Sequence, residues 1–283
     1  MTTDASSMDS PTGTKQRLNV SQREGAGEHA AEPLTLSLVI PVYNEADHLN
    51  EFLNWIDNYE FPLSTELVIV DDHSRDGSEE VIRSFSFTKK HQYIRHPVNR
   101  GKGAAVRTGI ERASGTIVGV QDADFEYDIA DLSQLLLPLM ENRADVVFGS
   151  RFKRSNQVHR TFHYLINRFL TIMSNLLSGL YLSDMETCYK LFRADVIKNV
   201  NLEADRFGFE PEITAKIARL KLRVMELPIS YFPRNYIEGK KITWKDGVAA
   251  LGHIVYFNLL QSKRDFFKSE LPQKYIPRDG NWL

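Results

Sequence analysis

The segment Leu34-Thr-Leu-Ser-Leu-Val-Ile-Pro-Val-Tyr-Asn-Glu45 is an apolar run of strand length that ends in polar residues. Further apolar runs of strand length occur at Glu66–Val70, Thr116–Val120 and Val146–Gly149. Stretches with apolar residues at helical spacing alternate with these runs, the first of them between Leu49 and Ile56. Continuous apolar strands alternating with amphipathic helices indicate a parallel sheet that is buried on both faces. The sequence therefore predicts a Rossmann-like α/β fold with a mostly parallel central sheet and helices on both faces.

The composition is that of an ordinary globular protein. The 283 residues are 42% hydrophobic and 25% charged, which is enough for one large α/β domain or two small ones. The formal net charge of −2 provides no global basic field, and this argues against a nucleic-acid partner. Cys188 is the only cysteine, so an internal disulfide is excluded and a reducing compartment is indicated.

Composition divides the chain into three regions. Residues 1–33 are polar, lack the apolar core of a secretory signal, and predict a disordered N-terminal tail. Residues 34–245 carry the strand and helix patterns of the α/β domain. Residues 246–283 predict a C-terminal helical extension and tail, with helix continuing to about residue 268. These features lead us to expect a cytoplasmic protein.

Two apolar stretches in the second half raise the question of membrane contact. The stretch Phe162–Leu182 contains several polar residues and has the periodicity of a one-sided helix, not of a membrane span. The run Val248–Leu260 is too short to cross a bilayer. Most apolar stripes of this kind lie in a core. The alternative is a peripheral contact at the inner face of a membrane, favoured by basic residues nearby such as Lys153 and Arg168.

Acidic residues follow the third of the quoted strands. Asp122 and Asp124 stand two residues apart at its carboxyl end, where open α/β sheets bind their ligands. Two carboxylates at this spacing can converge on one hard divalent cation, and Mg²⁺ or Mn²⁺ prefers such oxygen ligands together with substrate phosphates. Pairs of aspartates at this spacing are also common in exposed loops. The prediction of a metal site therefore depends on the position of Asp122 and Asp124 directly after a buried strand.

Two further segments indicate a phosphate-containing ligand. Asp71 and Asp72 close the second strand, where they predict hydrogen bonds to a base or ribose; turn and capping chemistry is the alternative. Adjacent carboxylates repel unless a neighbouring group compensates for their charge. The segment Gly101-Lys-Gly103 opens a helix and offers backbone N–H groups and the Lys102 cation to phosphate, or it is simply a helix entry.

The combination is far more specific than its parts. PVYNE at Pro41–Glu45, DDHSRDG at Asp71–Gly77, NRGKGAA from Asn99 and DAD at Asp122–Asp124 resemble the family 2 glycosyltransferases, and more narrowly the dolichyl- or polyprenyl-phosphate sugar synthases. The resemblance extends from about Ser37 to Trp244. Its later motifs are Gly149–Arg151, Asp184–Phe192, Phe207–Glu210 and the basic stretch from Arg234 to Lys241.

The resemblance implies a GT-A fold and an inverting transfer of a hexose from a nucleoside-diphosphate sugar to a lipid phosphate, with Mg²⁺ or Mn²⁺. It implies that the nucleotide sugar is held by Pro41, Tyr43, Glu45, Asp71, Asp72, Lys102, Asp122, Arg234, Lys240 and Lys241. The metal ligands would be Asp122, Asp124 and Glu126. The catalytic residues would be Asp184, Arg151 and Glu210. Arg151 would face the acceptor, and Asp184 stands at the position of the base in family members that use hydroxyl acceptors.

Three other functions remain open. The acceptor can be a sugar hydroxyl, as in polysaccharide or glycolipid assembly, and a hydroxyl needs a general base where an ionised phosphate does not. A nucleotidyltransferase would usually carry a glycine-rich loop directly after the first strand, and PVYNE at Pro41–Glu45 argues against it. A non-catalytic nucleotide-sugar-binding protein would tolerate loss of the metal carboxylates, which are both present here.

Overall fold

The computed structural model describes residues 33–154, 161–233 and 244–277. In these residues seven strands form one sheet, in the order β3-β2-β1-β4-β6-β5-β7. The strands are β1 (Thr35–Val42), β2 (Ser64–Asp71), β3 (Lys90–Arg95), β4 (Ile117–Val120), β5 (Val146–Ser150), β6 (Lys190–Arg193) and β7 (Val224–Pro228). Only β6 is antiparallel to its neighbours β4 and β5, and the remaining pairs are parallel. The predicted α/β fold with a mostly parallel sheet is confirmed.

Helices occur between most of these strands. The helices are α1 (Ala46–Asn58), α2 (Ser78–Ser84), α3 (Lys102–Arg112), α4 (Ile129–Met140), α5 (Thr161–Ser178), α6 (Ala194–Ile197), α7 (Phe209–Ile217) and α8 (Trp244–Val255). Of these, α5 and α8 pack on each other. Consecutive residues of β4 and β5 are all buried, as are most of those in β1 and β2. Because neighbouring residues of a strand point to opposite faces, both faces of the sheet are covered in its centre.

The strand order creates a crevice at one edge of the sheet. From β1 the chain runs outward to β2 and β3, then returns to the other side of β1 as β4. The β1–β4 pairing ends at Val39 and Val120, two residues before Pro41. Pro41 has no N–H group, and it lies beyond the last β4 partner, where no ladder bond to β4 is lost. Ligands of open α/β sheets bind at such a reversal of strand order, so the loops after β1 and β4 frame the expected site.

The C-terminal helix ends earlier than the sequence predicted. Helix α8 continues as a π-helical turn over Tyr256–Leu260, and the backbone is then extended at Gln261. The predicted continuation to about residue 268 is wrong beyond Leu260. The following segment pairs instead with the loop after α6, because Asn201 donates its backbone N–H to Phe266 and Lys268 donates to Asn199. No helix in the described residues is long and apolar enough to span a bilayer.

Candidate active site

The loops after β1 and β2 are tied together by hydrogen bonds. The backbone N–H groups of Asn44 and Glu45 donate to the hydroxyls of Ser74 and Ser78, each at 3.0 Å. In return, Arg75 donates its N–H to Asn44 Oδ1 at 2.9 Å. These contacts fix the polar end of β1 before α1 begins. Tyr43 of the same loop is 38% exposed, whereas its neighbour Val42 is buried.

Asp71 is buried at the end of β2 and holds its own loop and the neighbouring strand. Its carboxylate accepts a hydrogen bond from the N–H of Ser74 at 2.8 Å and one from the Tyr93 hydroxyl at 3.2 Å. The guanidinium of Arg95 lies 3.2 Å from the same carboxylate. Asp71 and Asp72 are adjacent and would repel each other if both are charged. The Arg95 cation compensates for the negative charge of Asp71.

Asp72 organises the segment that leads into α3. Its carboxylate is 2% exposed and accepts from the N–H groups of Arg100 and Gly101 at 2.9 and 2.6 Å, and from the Asn99 side chain at 2.8 Å. The His96 ring lies 2.7 Å away on the other side. In the structure both aspartates therefore support loops, and direct contact of either with a nucleoside stays a prediction.

The N-terminus of α3 packs against backbone instead of facing open space. Gly103 and Ala104 donate their N–H groups to the carbonyls of Arg206 and Asp205 at 3.1 and 3.0 Å. A Cβ atom at Gly103 would lie 2.2 Å from the Ala204 carbonyl, so only glycine permits this approach. The loop before α7 therefore uses the Gly103 N–H group, which fits the helix entry, one of the two alternatives for Gly101–Gly103.

Lys102 points to the acidic loop after β4. Its Nζ lies 2.9 Å from Asp122 and 3.4 Å from Glu210 at the start of α7. Burial alone would lower the pKa of Lys102, but the charge of Asp122, helped by Glu210, outweighs it and holds that pKa well above its usual value. Lys102 is therefore a fixed cation between two carboxylates that come from distant parts of the chain.

The three predicted metal ligands lie on one loop but do not converge on one point. Asp124 is 8% exposed and accepts from the N–H of Glu126 at 3.1 Å. The Glu126 carboxylate instead accepts a hydrogen bond at 3.2 Å from the hydroxyl of Tyr231, which follows β7. Among the described residues, no three acidic, histidine or cysteine side chains form a group that could hold a metal ion. Asp122 and Asp124 fit a cation only if the phosphates of a ligand complete its coordination, which is the usual arrangement for Mg²⁺.

Arg151 and Asp184 form a buried two-pronged ion pair. The guanidinium Nε and Nη2 of Arg151 donate to the two carboxylate oxygens at 2.7 and 2.8 Å, and the Arg151 backbone N–H adds a third bond at 3.0 Å. Arg151 is 8% exposed and Asp184 is fully buried. Burial alone would lower the pKa of Arg151, but the Asp184 charge raises it well above the ordinary value. Both carboxylate oxygens of Asp184 therefore accept hydrogen bonds from Arg151.

Glu226 of β7 holds the loop that carries Asp184. Its carboxylate accepts from the backbone N–H groups of Ser183 and Asp184 at 2.8 and 3.0 Å. The Arg151 guanidinium also lies over the Tyr231 ring, 5.2 Å from its centroid. The ion pair is thus held by Glu226 within β7 and by Tyr231 after it, while Arg151 itself directly follows β5.

The sequence analysis missed Glu186, which stands in the same loop as Asp184. Its Oε1 atom is buried without a hydrogen-bond partner among the described residues. Burial, followed by the charge of Glu210, raises the pKa of Glu186 to about 7, although Lys190 and Arg151 oppose the shift. The available signal was a second acidic residue two positions after Asp184, in a segment that leads into a buried strand. The predicted phosphate ligands Arg234, Lys240 and Lys241 lie outside the described residues.

Comparisons with known proteins agree with this architecture. A family model described as Glycosyl transferase family 2 matches residues 37–200. A dolichyl-phosphate beta-glucosyltransferase of Trichomonas vaginalis is 32% identical over 226 residues, covering 73% of this chain and 68% of the relative. An undecaprenyl-phosphate mannosyltransferase of Micrococcus luteus is 29% identical over 212 residues, covering 71% of this chain and 85% of the relative.

A solved structure supports the fold at lower sequence identity. Glucosyl-3-phosphoglycerate synthase from Mycobacterium tuberculosis, in complex with Mn²⁺, UDP-glucose and glycerol 3-phosphate, matches with a TM-score of 0.60 and 16% identity over 82% of each chain. The mostly parallel sheet with acidic loops at its carboxyl edge is a GT-A fold. The chain belongs to the family 2 glycosyltransferases.

Proposed function

We propose that this glycosyltransferase inverts the anomeric centre as it moves a hexose from a nucleoside-diphosphate sugar, of the UDP-glucose or GDP-mannose type, to a polyprenyl or dolichyl phosphate. The observation that carries the proposal is the meeting of Asp122, Lys102 and Glu210 beside the crevice between β1 and β4. A cation next to the acidic loop suits a diphosphate whose charge is shared between Lys102 and a divalent metal. The names of the relatives, a dolichyl-phosphate glucosyltransferase and an undecaprenyl-phosphate mannosyltransferase, support the acceptor class.

Mg²⁺ or Mn²⁺ would be held by Asp122 and Asp124, with Glu126 as a further ligand if Tyr231 releases it. When bound, such an ion neutralises the charge that develops on the leaving diphosphate. Lys102 is already placed beside Asp122 and would contact the same diphosphate. Arg234, Lys240 and Lys241 are proposed to bind its phosphates as well.

The nucleoside would be bound at the ends of β1 and β2. The exposed Tyr43 offers a ring face for stacking on the base, flanked by Pro41 and Glu45. Asp71 and Asp72 would act here through the loops that they hold in place. The loops of this half of the site are joined by backbone and side-chain hydrogen bonds in the absence of a ligand.

The Arg151–Asp184 ion pair favours a phosphate acceptor over a sugar hydroxyl. A sugar hydroxyl needs a base with a free carboxylate oxygen, and both oxygens of Asp184 accept bonds from Arg151. A phosphate monoester loses its second proton near pH ~6 and can attack largely without such help. In this proposal Asp184 positions Arg151, whose cation faces the acceptor phosphate.

A donor screen tests the proposed function. The enzyme is incubated with UDP-glucose, GDP-mannose and related donors plus Mn²⁺, with and without polyprenyl phosphate, and release of nucleoside diphosphate is measured. We expect one donor to be consumed, and only when the lipid phosphate is present. Release supported by a water-soluble sugar would favour the hydroxyl-acceptor alternative, and donor binding without release under any condition would indicate a non-catalytic binding protein.

A surface for membrane contact is proposed on α5 and the C-terminal helix. One face of α5, at spacings of four, three and four residues, exposes Leu165, Phe169, Ile172 and Leu176, which are 46–71% accessible. The opposite face packs on α8 through residues such as Leu170 and Ile254. The expectation that this apolar stripe lies in the core therefore holds for the face that packs on α8, whereas the opposite face is exposed.

The C-terminal helix extends the exposed apolar area. Its exposed members are Val248, Val255, Tyr256, Leu259 and Leu260, of which Leu260 is 71% accessible. The exposed basic residues Lys263 and Arg264 follow directly. Exposed apolar side chains followed by cations suit an anionic lipid surface, from which the long apolar acceptor must be taken.

Flotation with liposomes tests this surface. We expect the protein to float with anionic vesicles at low salt, and less at high salt because screening weakens the basic contacts. The double variant Phe169→Glu/Leu176→Glu should lose most of the bound fraction, because it places two charges in the apolar face. Leu137→Glu on α4 is the matched control, since Leu137 is 45% exposed and lies outside this surface. A wild-type protein that stays at the bottom of the gradient at both salt concentrations would exclude the contact.

A further inference from the structure

Tyr231 stands where the two halves of the proposed site meet. It follows β7 and is half-buried, and an isolated antiparallel bridge joins its backbone to that of Tyr127 in the loop after β4. The next residue, Phe232, donates its N–H to the Glu126 carbonyl at 2.7 Å. The backbone on both sides of the Tyr231 side chain is therefore tied to the acidic loop that carries the predicted metal ligands.

The two ends of the Tyr231 side chain make different contacts. The Arg151 guanidinium lies over its ring, 5.2 Å from the centroid, and its hydroxyl donates to Glu126 Oε2 at 3.2 Å. The attraction of a cation to an aromatic face acts on the charge, so it restrains the guanidinium without consuming an N–H donor that a phosphate could use. The hydroxyl, by contrast, binds a carboxylate oxygen that a divalent cation could take as a ligand.

We infer that Tyr231 is a positioning residue for the transfer: its ring holds the Arg151 guanidinium toward the acceptor phosphate, and its hydroxyl holds Glu126 until a divalent cation takes that carboxylate. The inference rests on the proposed function and deepens it, because it assigns to one side chain the link between acceptor binding and the metal loop. One contact depends on the ring and the other on the hydroxyl. They therefore predict different effects that can be measured separately.

Fluorination tests the ring contact with almost no change of shape. Successive fluorine atoms on a phenylalanine at position 231 withdraw the negative charge from the ring face that attracts a cation. At saturating Mn²⁺, Tyr231→Phe should keep the acceptor KM within about twofold, and trifluorophenylalanine at this position should raise it by about three- to thirtyfold. We expect kcat and donor KM to stay unchanged, because the ring acts only through the cation that faces the acceptor.

An acceptor KM that stays constant across the fluorinated series overturns the role of the ring, and so does an equal rise in Tyr231→Phe. In both cases a wild-type enzyme that consumes donor leaves the proposed function standing. If wild type consumes no donor in the donor screen, the proposed function fails and this inference fails with it.

A second measurement reports on the hydroxyl and does not depend on turnover. Mn²⁺ binding is measured with the nucleoside diphosphate of the consumed donor, by the enhanced relaxation of water protons, which distinguishes Mn²⁺ on the protein from Mn²⁺ on free nucleotide. Tyr231→Phe removes a hydrogen bond that competes for Glu126, so this variant should bind Mn²⁺ about two- to tenfold more tightly than wild type. Equal or weaker binding by Tyr231→Phe overturns the role of the hydroxyl.

Tyr275 provides the matched control for both measurements. Its hydroxyl donates to the Asp195 carboxylate at 3.2 Å, and Lys274 Nζ lies 4.5 Å from its ring centroid. Asp195 follows the end of β6 that pairs with the start of β4, at the opposite edge of the sheet from the acidic loop. Tyr275→Phe and the fluorinated series at this position should keep the wild-type acceptor KM and Mn²⁺ affinity. Effects at Tyr275 equal to those at Tyr231 would overturn the inference, because they would not depend on the contacts with Arg151 and Glu126.

Discussion

Replacing both Asp122 and Asp124 with asparagine lowers turnover by at least about 10³-fold, equivalent to roughly 4 kcal/mol of transition-state stabilisation. The two carboxylates lie on the loop after β4, which frames the crevice, and they fit a cation shared with donor phosphates. Without them the leaving diphosphate keeps its charge unneutralised, and Lys102 alone cannot compensate. Nucleoside diphosphate release and donor affinity, each with Mn²⁺ and with EDTA, are the measurements.

The control for this variant comes from the same loop. Asp128 caps α4 by accepting from the Ala130 N–H at 3.0 Å. Asp128→Asn also removes a negative charge but leaves the crevice unchanged, and asparagine still caps a helix, so activity should stay within about twofold. Full turnover of wild type in EDTA would remove the metal from the mechanism, whatever the double variant does.

Asp184→Asn lowers the free energy of unfolding by about 3–5 kcal/mol, because it leaves the buried Arg151 cation without its counter-ion. Activity is also lost, since Arg151 is no longer held toward the acceptor. The double variant Arg151→Met/Asp184→Leu removes both charges together and should recover most of the stability while remaining inactive. Urea unfolding monitored by circular dichroism, together with acceptor-dependent turnover, separates the two effects.

The exposed ion pair between Glu141 and Arg143 provides the comparison for stability. Both side chains are 54% exposed, so Glu141→Gln should change the free energy of unfolding by no more than about 1 kcal/mol. A similarly small change in Asp184→Asn would show that the buried pair contributes little. Wild-type turnover in Arg151→Met/Asp184→Leu would exclude Arg151 from acceptor binding.

The fold and the location of the site were accessible from local patterns. Continuous apolar runs such as those ending at Val42 and Val120 indicate buried parallel strands, because both faces of each strand must lie in a core. Polar residues at their carboxyl ends then indicate the site, since parallel strands bring these ends to one edge. The apolar pattern also predicts a strand at Tyr189–Arg193, which is β6, but its antiparallel pairing with β4 and β5 could not be derived in this way, because pairing direction depends on distant segments.

Several site contacts depended on residues far apart in the sequence. The glycines at 101 and 103 left a phosphate contact and a helix entry as alternatives, and in the structure the N–H groups of Gly103 and Ala104 donate to the carbonyls of Arg206 and Asp205. The resemblance placed Asp184 at the position of a base, and only the fold brings Arg151, 33 residues earlier, to both of its carboxylate oxygens. Hydrogen-bond partners across such separations follow from the packing of the chain and not from local spacing.

The sequence by itself determined the strand and helix pattern, the acidic loop at Asp122–Asp124 and the amphipathic character of α5, because each rests on residues close together in the chain. Only the tertiary structure decided which half of the α5 stripe is buried, since the answer depends on where α8 packs. It also decided that Lys102 meets Glu210, and that the Oε1 atom of Glu186 is shielded from solvent without a hydrogen-bond partner among the described residues. Burial and the charges of distant residues set the protonation of such a group, and neither is encoded in its sequence neighbours.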